Sequence, residues 1–229
     1  MPYFYAPDLP EQGNILLTKE ESTHLAKTLR AKVGDRLQLI NGNGQLAEAV
    51  ISDLAKRNQV GCKIISTMQV PEPTRKIHLY MAPPRSNIMS SLIKQCVELG
   101  VWEITLLECE FSVSKPKDKD KAYFKEVISG GKQSGNPFFP KINSLVAFNK
   151  AFENCSFPKF YGAVPEENSY YSEKSLPENI SLWIGPEGGF SPTEQALLQE
   201  HAQGVTIGNW VLRVETACIG LVSILNQLS

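Results

Sequence analysis

The chain has 229 residues, is 42% hydrophobic, and sets 23 Lys and Arg against 24 Asp and Glu for a formal net charge of −1. That length accommodates one large domain or two smaller ones, with a core that needs no disulfide or metal staple. The balance excludes a uniformly basic nucleic-acid binder, so any such face must come from local clusters of Lys and Arg. The five cysteines (Cys62, Cys96, Cys109, Cys155 and Cys218) are scattered and never spaced as CxxC, which predicts reduced thiols used as core filler. MPYFYAPDLP carries no charged leader or apolar run, and the expectation is a soluble cytoplasmic protein with no membrane partner. The N-x-S sequons at Asn154 and Asn179 carry no weight without a secretory leader.

Residues 1–70 read as a small β-rich domain with one helix. Thr18 and Glu21 make a capping-box pattern opening a helix to about Arg30, with Leu25 and Leu29 on one face. Gly34-Asp35 turns into Arg36–Leu39, whose period of two predicts a half-buried strand, and Asn41-Gly42-Asn43-Gly44 predicts a hairpin loop. Val60, Cys62 and Ile64 repeat the alternation. Pro71-Glu72-Pro73 then reads as a linker.

From residue 74 to 229 the rhythm changes to alternating strands and helices. Expected are a strand Lys76–Met81, a helix Ser86–Leu99 stopped by Gly100, a strand Ile104–Leu107, and helices over 118–132 and 145–153. A strand near Phe160–Val164 and another at Ile180–Ile184 follow. Next come a helix opened by Ser191-Pro192-Thr193-Glu194, a short strand Val205–Ile207 and a closing helix from about Thr216 to Leu228. This alternation predicts an α/β domain with a mostly parallel sheet covered on both faces.

Two segments carry the chemistry. In Ile184-Gly185-Pro186-Glu187-Gly188-Gly189-Phe190 a strand end meets a glycine-rich turn, which lets a flat ligand approach bare main chain at the edge where open α/β sheets bind ligands. In Ile207-Gly208-Asn209-Trp210-Val211-Leu212-Arg213-Val214-Glu215-Thr216-Ala217 an arginine, a glutamate and a threonine crowd the entrance to the last helix. Read singly, the first is equally a plain strand-to-helix turn, and in the second Glu215 or Thr216 caps a helix while Arg213 pairs with a carboxylate.

Together, IGPEGGFSPTE followed by IGNWVLRVETA resembles the paired signature of the RsmE family of SPOUT methyltransferases. His24-Leu25, Leu29-Arg30 and Val33-Gly34-Asp35 resemble the family's N-terminal run, Glu98-Leu99-Gly100-Val101 its ELGV, and Gln133-Ser134-Gly135 its QSG, so the likeness covers the whole chain. The resemblance implies a PUA-like RNA-binding β-barrel, then a SPOUT α/β domain with a C-terminal trefoil knot. It also implies a homodimer that uses S-adenosylmethionine to make N3-methyluridine in 16S ribosomal RNA, with free or assembled small-subunit RNA as partner.

By this resemblance Ile184, Gly185, Glu187, Gly188 and Gly189 bind the cofactor, as do Ile207, Gly208, Val211, Leu212, Thr216 and Ala217. Arg213 stabilises charge on uracil, and Glu215 orients it or accepts the N3 proton. Arg30, Lys32, Arg85 and Lys94 contact RNA, and no metal is expected. Gln95, Phe111 and Asn136 stand where the family is usually basic. Those departures motivate two alternatives: a non-catalytic RNA-binding or ribosome-assembly factor with the same fold, or a SPOUT enzyme acting on another RNA. Gly130-Gly131-Lys132-Gln133 lacks the pattern of a phosphate loop, and His24, His78 and His201 show no metal spacing. Tyr170-Tyr171 and the alternating run Lys115–Lys121 read as solvated surface.

Overall fold

Thr18 Oγ1 accepts a hydrogen bond from the Glu21 N–H at 3.3 Å and opens α1 (Lys19–Thr23). The chain then widens into a π-helical turn over His24–Thr28, where Leu29 N–H reaches His24 O at 3.2 Å, so the expected continuous α-helix does not form. A wider turn rotates the following residues around the axis. Leu25 is therefore buried, while Leu29, expected beside it, is 45% exposed. Arg30 ends the turn at φ +50°, the one left-handed non-glycine residue among those described. Only half of the expected capping box forms: Glu21 turns away to an ion pair with Lys132, both oxygens at 2.7 Å from Nζ. The computed structural model describes residues 2–54, 59–114, 120–165 and 176–227; Lys115–Lys119, Tyr170, Tyr171 and Leu228 lie outside them.

The same unit holds a mixed five-stranded sheet, in the order β1 (Tyr3–Tyr5), β3 (Arg36–Ile40), β4 (Gln45–Asp53), β5 (Gly61–Gln69) and β2 (Asn14–Leu16). β1 and β3 are parallel and the other pairs antiparallel. The β3–β4 hairpin closes at Asn41–Gly44, where Asn41 Oδ1 accepts from the Asn43 and Gln45 N–H groups at 2.8 and 3.1 Å. Phe4, Leu17, Leu25, Leu37, Leu39 and Ile51 are among the residues of its core.

The first compact unit comprises Met1–Glu72 together with Ile128–Phe139, and the second Pro73–Val127 with Pro140–Ser229. Within the first unit, Gly44 N–H bonds to Pro137 O and Phe139 N–H to Gly42 O, both at 2.8 Å. A Cβ on Gly42 would stand 2.7 Å from the Phe139 ring, so glycine is required where the returning segment lies on the hairpin. Asn136, at a usually basic position, accepts from the Phe138 N–H at 2.9 Å and shapes this return.

The second unit holds a six-stranded, wholly parallel sheet. Its order is β11 (Gln203–Val205), β9 (Lys159–Gly162), β10 (Asn179–Ile184), β6 (Lys76–Met81), β7 (Glu103–Glu108) and β8 (Lys141–Ala147). Its helices are α2 (Ser86–Glu98), α3 (Asp120–Ser134, whose end joins the first unit), α4 (Phe148–Asn154), α5 (Pro192–His201) and α6 (Val214–Gln227). α2 stops as expected: Gly100, at φ +74°, donates to Val97 O at 3.0 Å and Val101 donates to Cys96 O at 2.9 Å, a Schellman ending. Residues 145–147, expected as helix, instead finish β8, an edge strand whose half-exposed residues and the register shift opposite Thr105–Leu107 blur its period. β11 lies two residues before the expected position and α6 begins at Val214 rather than Thr216. α3 buries Tyr123 and Val127 but leaves Phe124 44% exposed.

On α6, Leu221, Val222 and Leu225 are buried, while Ile219 and Ile224 are half-buried. The five cysteines are free and buried. Near the strands' N-terminal ends, His78 Nδ1 lies 2.9 Å from Glu103 Oε2 and the imidazole stacks on Phe157 at 4.1 Å. No helix among the described residues is long and apolar enough to cross a membrane.

Candidate functional site

In the second unit, the strand order reverses between β6 and β10, since β7 and β8 extend one way and β9 and β11 the other. Loops leaving adjacent parallel strands in opposite directions open a crevice at their C-terminal ends, the common ligand position in such sheets. β10 is buried from Ile180 to Ile184, and its exit is the glycine-rich turn. Gly189 N–H donates to Pro186 O at 2.9 Å, and Gly189 has φ +77°, so this turn needs a residue without Cβ strain. A Cβ on Gly185 would stand 3.1 Å from the Phe190 ring, and one on Gly188 3.1 Å from Phe111 Cβ.

The turn is held from behind by α5. Ser191 caps the helix and Glu194 completes the box, with Oε2 accepting from the Ser191 N–H at 2.8 Å. Its other oxygen accepts from the Glu110 N–H at 3.0 Å. One buried carboxylate thus ties the turn to the 109–114 loop, where Phe111 packs against Gly188. Ser112 Oγ accepts from the Cys109 N–H at 2.9 Å in the same loop. Burial, with Glu194 nearby, pushes the Cys109 thiol up to about 12, so it stays protonated and unreactive at neutral pH.

The second segment crosses from β11 to α6. Ile207 packs on Gly220, whose missing Cβ makes room for it. Trp210 and Val211 stand out from this crossing, 80% and 75% exposed. Arg213 O accepts from the Ala217 N–H at 2.8 Å, which starts the last helix. The Arg213 guanidinium is exposed and the Glu215 carboxylate half-exposed. Among the described residues neither side chain makes a hydrogen bond or ion pair, so the pairing weighed from sequence is not formed.

Both segments face one cavity of about 720 Å³, within the roughly 300–1,000 Å³ of small-molecule sites. Ile184, Gly185, Glu187, Gly188 and Gly189 form one wall. Ile207, Val211, Leu212 and Ala217 form another, with Arg213 and Glu215 between them. Gly208 and Thr216 do not line it. Arg85, at the N-cap of α2, reaches its edge. Lys94 lies further along α2, its Nζ 3.5 Å from Glu126 Oε2. Arg30 and Lys32 belong to the first unit, both exposed.

Gly162, Ala163, Val164 and Pro165, at the exit of β9, form a further wall that no sequence expectation included. They reach the site because β9 pairs with β10, a neighbour relation that no local sequence signal displays. Trp210 also lines the cavity. Bare glycine backbone, apolar walls and unpaired charges of both signs suit a ligand with a flat ring and a zwitterionic end.

The family described as RNA methyltransferase domain matches residues 70–226, and the RNA methyltransferase PUA domain matches residues 17–65. The ribosomal RNA small subunit methyltransferase E of Aquifex aeolicus is 27% identical, over 98% of this chain and 99% of that protein. A Porphyromonas gingivalis structure described as a "probable rRNA-methyltransferase" superposes with TM-score 0.86 at 29% identity, covering 100% of this chain and 98% of that one. A Legionella pneumophila structure in complex with the bound cofactor SAM gives TM-score 0.85 at 27% identity, over 97% and 96% of the respective chains.

Proposed function

This chain belongs to the RNA methyltransferase family, and we propose that it methylates N3 of a uridine in small-subunit (16S) ribosomal RNA with S-adenosylmethionine as donor. The observation that carries this reading is the convergence of the glycine turn and the 207–217 crossing on one cavity, with the Arg213 guanidinium at its wall and unpaired among the described residues. S-adenosylmethionine, when bound, supplies an electrophilic methyl group. The main chain of Gly185–Gly189 and the side chains of Ile207, Val211, Leu212 and Ala217, which line the cavity, would hold it. Gly208 shapes the crossing through its positive φ, and Thr216 stands on the first turn of α6.

N3 of uracil holds its proton at neutral pH, so transfer requires that the developing charge be stabilised and the proton removed. Arg213 presents a fixed fork of donors for that charge, unengaged by any carboxylate among the described residues. Glu215 accepts the proton through water. Because the two side chains do not pair, Glu215 is given the proton rather than the positioning role.

Arg85 meets phosphate beside the cavity, and Lys94 does so once it leaves Glu126. Arg30 and Lys32 anchor RNA on the PUA-like unit. A homodimer, a trefoil crossing of the two signature segments and a cytoplasmic location complete the reading. Two measurements test it. Titration calorimetry should show the purified chain binding S-adenosylmethionine, and mass spectrometry should find N3-methyluridine missing from small-subunit RNA of a deletion strain and restored by the intact gene. Binding without methylation would favour a non-catalytic assembly factor, and a lost methyl group in another RNA would move the substrate.

A further inference from the structure

Trp210 has no place in the chemistry above, yet it is 80% exposed and lines the cavity. Large indoles are usually well covered in folded proteins. Three further apolar side chains on the same cavity are mostly in solvent: Val211 at 75%, Val113 at 61% and Val164 at 60%. Several exposed apolar side chains on one cavity point to a surface completed by a partner. On the reading proposed above, the reacting atom lies on the pairing edge of uracil, so the base must be unpaired and turned out of any stack before it can react. An aromatic plane at the entrance replaces that lost stacking.

We propose that Trp210 is a substrate-positioning residue whose indole stacks on an unpaired nucleobase of the RNA at the cavity mouth. This inference rests on the RNA methyltransferase reading. The other candidate occupant is a second copy of the chain. The charges beside Trp210 decide between them: Arg85, Arg213, Glu187 and Glu215 line the same cavity with no partner among the described residues. Closing four unpaired charges into a dry protein contact is costly. Protein–RNA contacts stay hydrated, which leaves these charges solvated, and they give Arg85 a phosphate to face.

The test compares wild type with Trp210→Leu, Trp210→Ala and Trp210→Phe in methyl transfer to small ribosomal subunits from a deletion strain. Calorimetry with S-adenosylmethionine and light scattering are run on each protein. Stacking predicts that kcat/KM for the subunit falls roughly 5- to 150-fold in the Leu and Ala variants. The Phe variant should recover most of the loss, because a ring rather than apolar bulk is required. Affinity for S-adenosylmethionine and oligomeric state should match wild type throughout. A Leu variant as active as wild type overturns the inference while leaving the enzymatic reading in place. So does a Leu or Ala variant whose activity loss follows a changed oligomeric state. A wild-type chain that transfers no methyl group overturns the underlying reading and this inference with it.

Discussion

The Glu194 carboxylate bridges two backbone N–H groups that are far apart in sequence, Ser191 at 2.8 Å and Glu110 at 3.0 Å. The first bond is local helix capping; the second fixes the loop that lays Phe111 on Gly188. Glu194→Gln keeps one acceptor oxygen and turns an amide donor toward the other N–H. The expected cost is about 1–3 kcal/mol of stability, from leaving a buried donor unpaired. S-adenosylmethionine affinity should fall as well, because the glycine turn loses its backing. Urea denaturation and calorimetry on one preparation check both; a stability loss with unchanged affinity would separate the loop from the site.

Gly188→Val should abolish S-adenosylmethionine binding while leaving the chain folded. The new Cβ stands 3.1 Å from Phe111 Cβ, so the 109–114 loop must shift, and the remaining methyl groups crowd the cavity wall. Circular dichroism should remain that of wild type. Calorimetry showing wild-type binding would remove this turn from the cofactor site.

Arg213→Ala should slow single-turnover methyl transfer by about 10²-fold, the scale of losing one charge-stabilising donor. Its RNA and cofactor affinities should stay near wild type, since among the described residues its guanidinium makes no hydrogen bond or ion pair whose loss would disturb the wall. Normal turnover in this variant would shift the charge-stabilising role elsewhere.

Arg30 sits at φ +50°, a conformation that disfavours any residue with a Cβ. Arg30→Gly should therefore leave stability unchanged or raise it by up to about 1 kcal/mol. Combined with Lys32→Ala, it should weaken RNA binding and flatten its salt dependence, because fewer counterions are released. A double variant with the wild-type salt slope would mean that these cations are not the anchor.

The hydrogen bond from His78 holds the Glu103 carboxyl below the usual range; burial opposes it, and the hydrogen bond from Asn143 adds a smaller lowering. A carboxylate depressed in the folded state contributes stability that is present above its unfolded pKa and lost as pH falls through the folded one. Glu103→Gln should thus be less stable than wild type at neutral pH, and the gap should close in acid. Denaturation midpoints measured from pH 7 to pH 3 would show it; a gap independent of pH would assign the effect to packing.

Much of this molecule could be read locally. The caps at Thr18 and Ser191 and the stop at Gly100 depend on residues within a few positions, as does the hairpin at Asn41–Gly44, and a linear sequence displays such pairings. The two signature segments were also legible as local runs, and the structure brings both to one cavity. The return of Ile128–Phe139 to the first unit was not legible, since it rests on backbone bonds to residues some ninety positions earlier. The π-turn that turns Leu29 outward breaks the period from which its burial was expected. Neither the Gly162–Pro165 wall nor the second bond of Glu194 has a local signature: one depends on which strands became neighbours, the other on a loop eighty-four residues away. Local sequence determined caps and turns through short-range sterics and hydrogen bonding. Tertiary structure alone decided what faces what, because in a parallel sheet the neighbours of a strand end are set by strand order and not by distance along the chain.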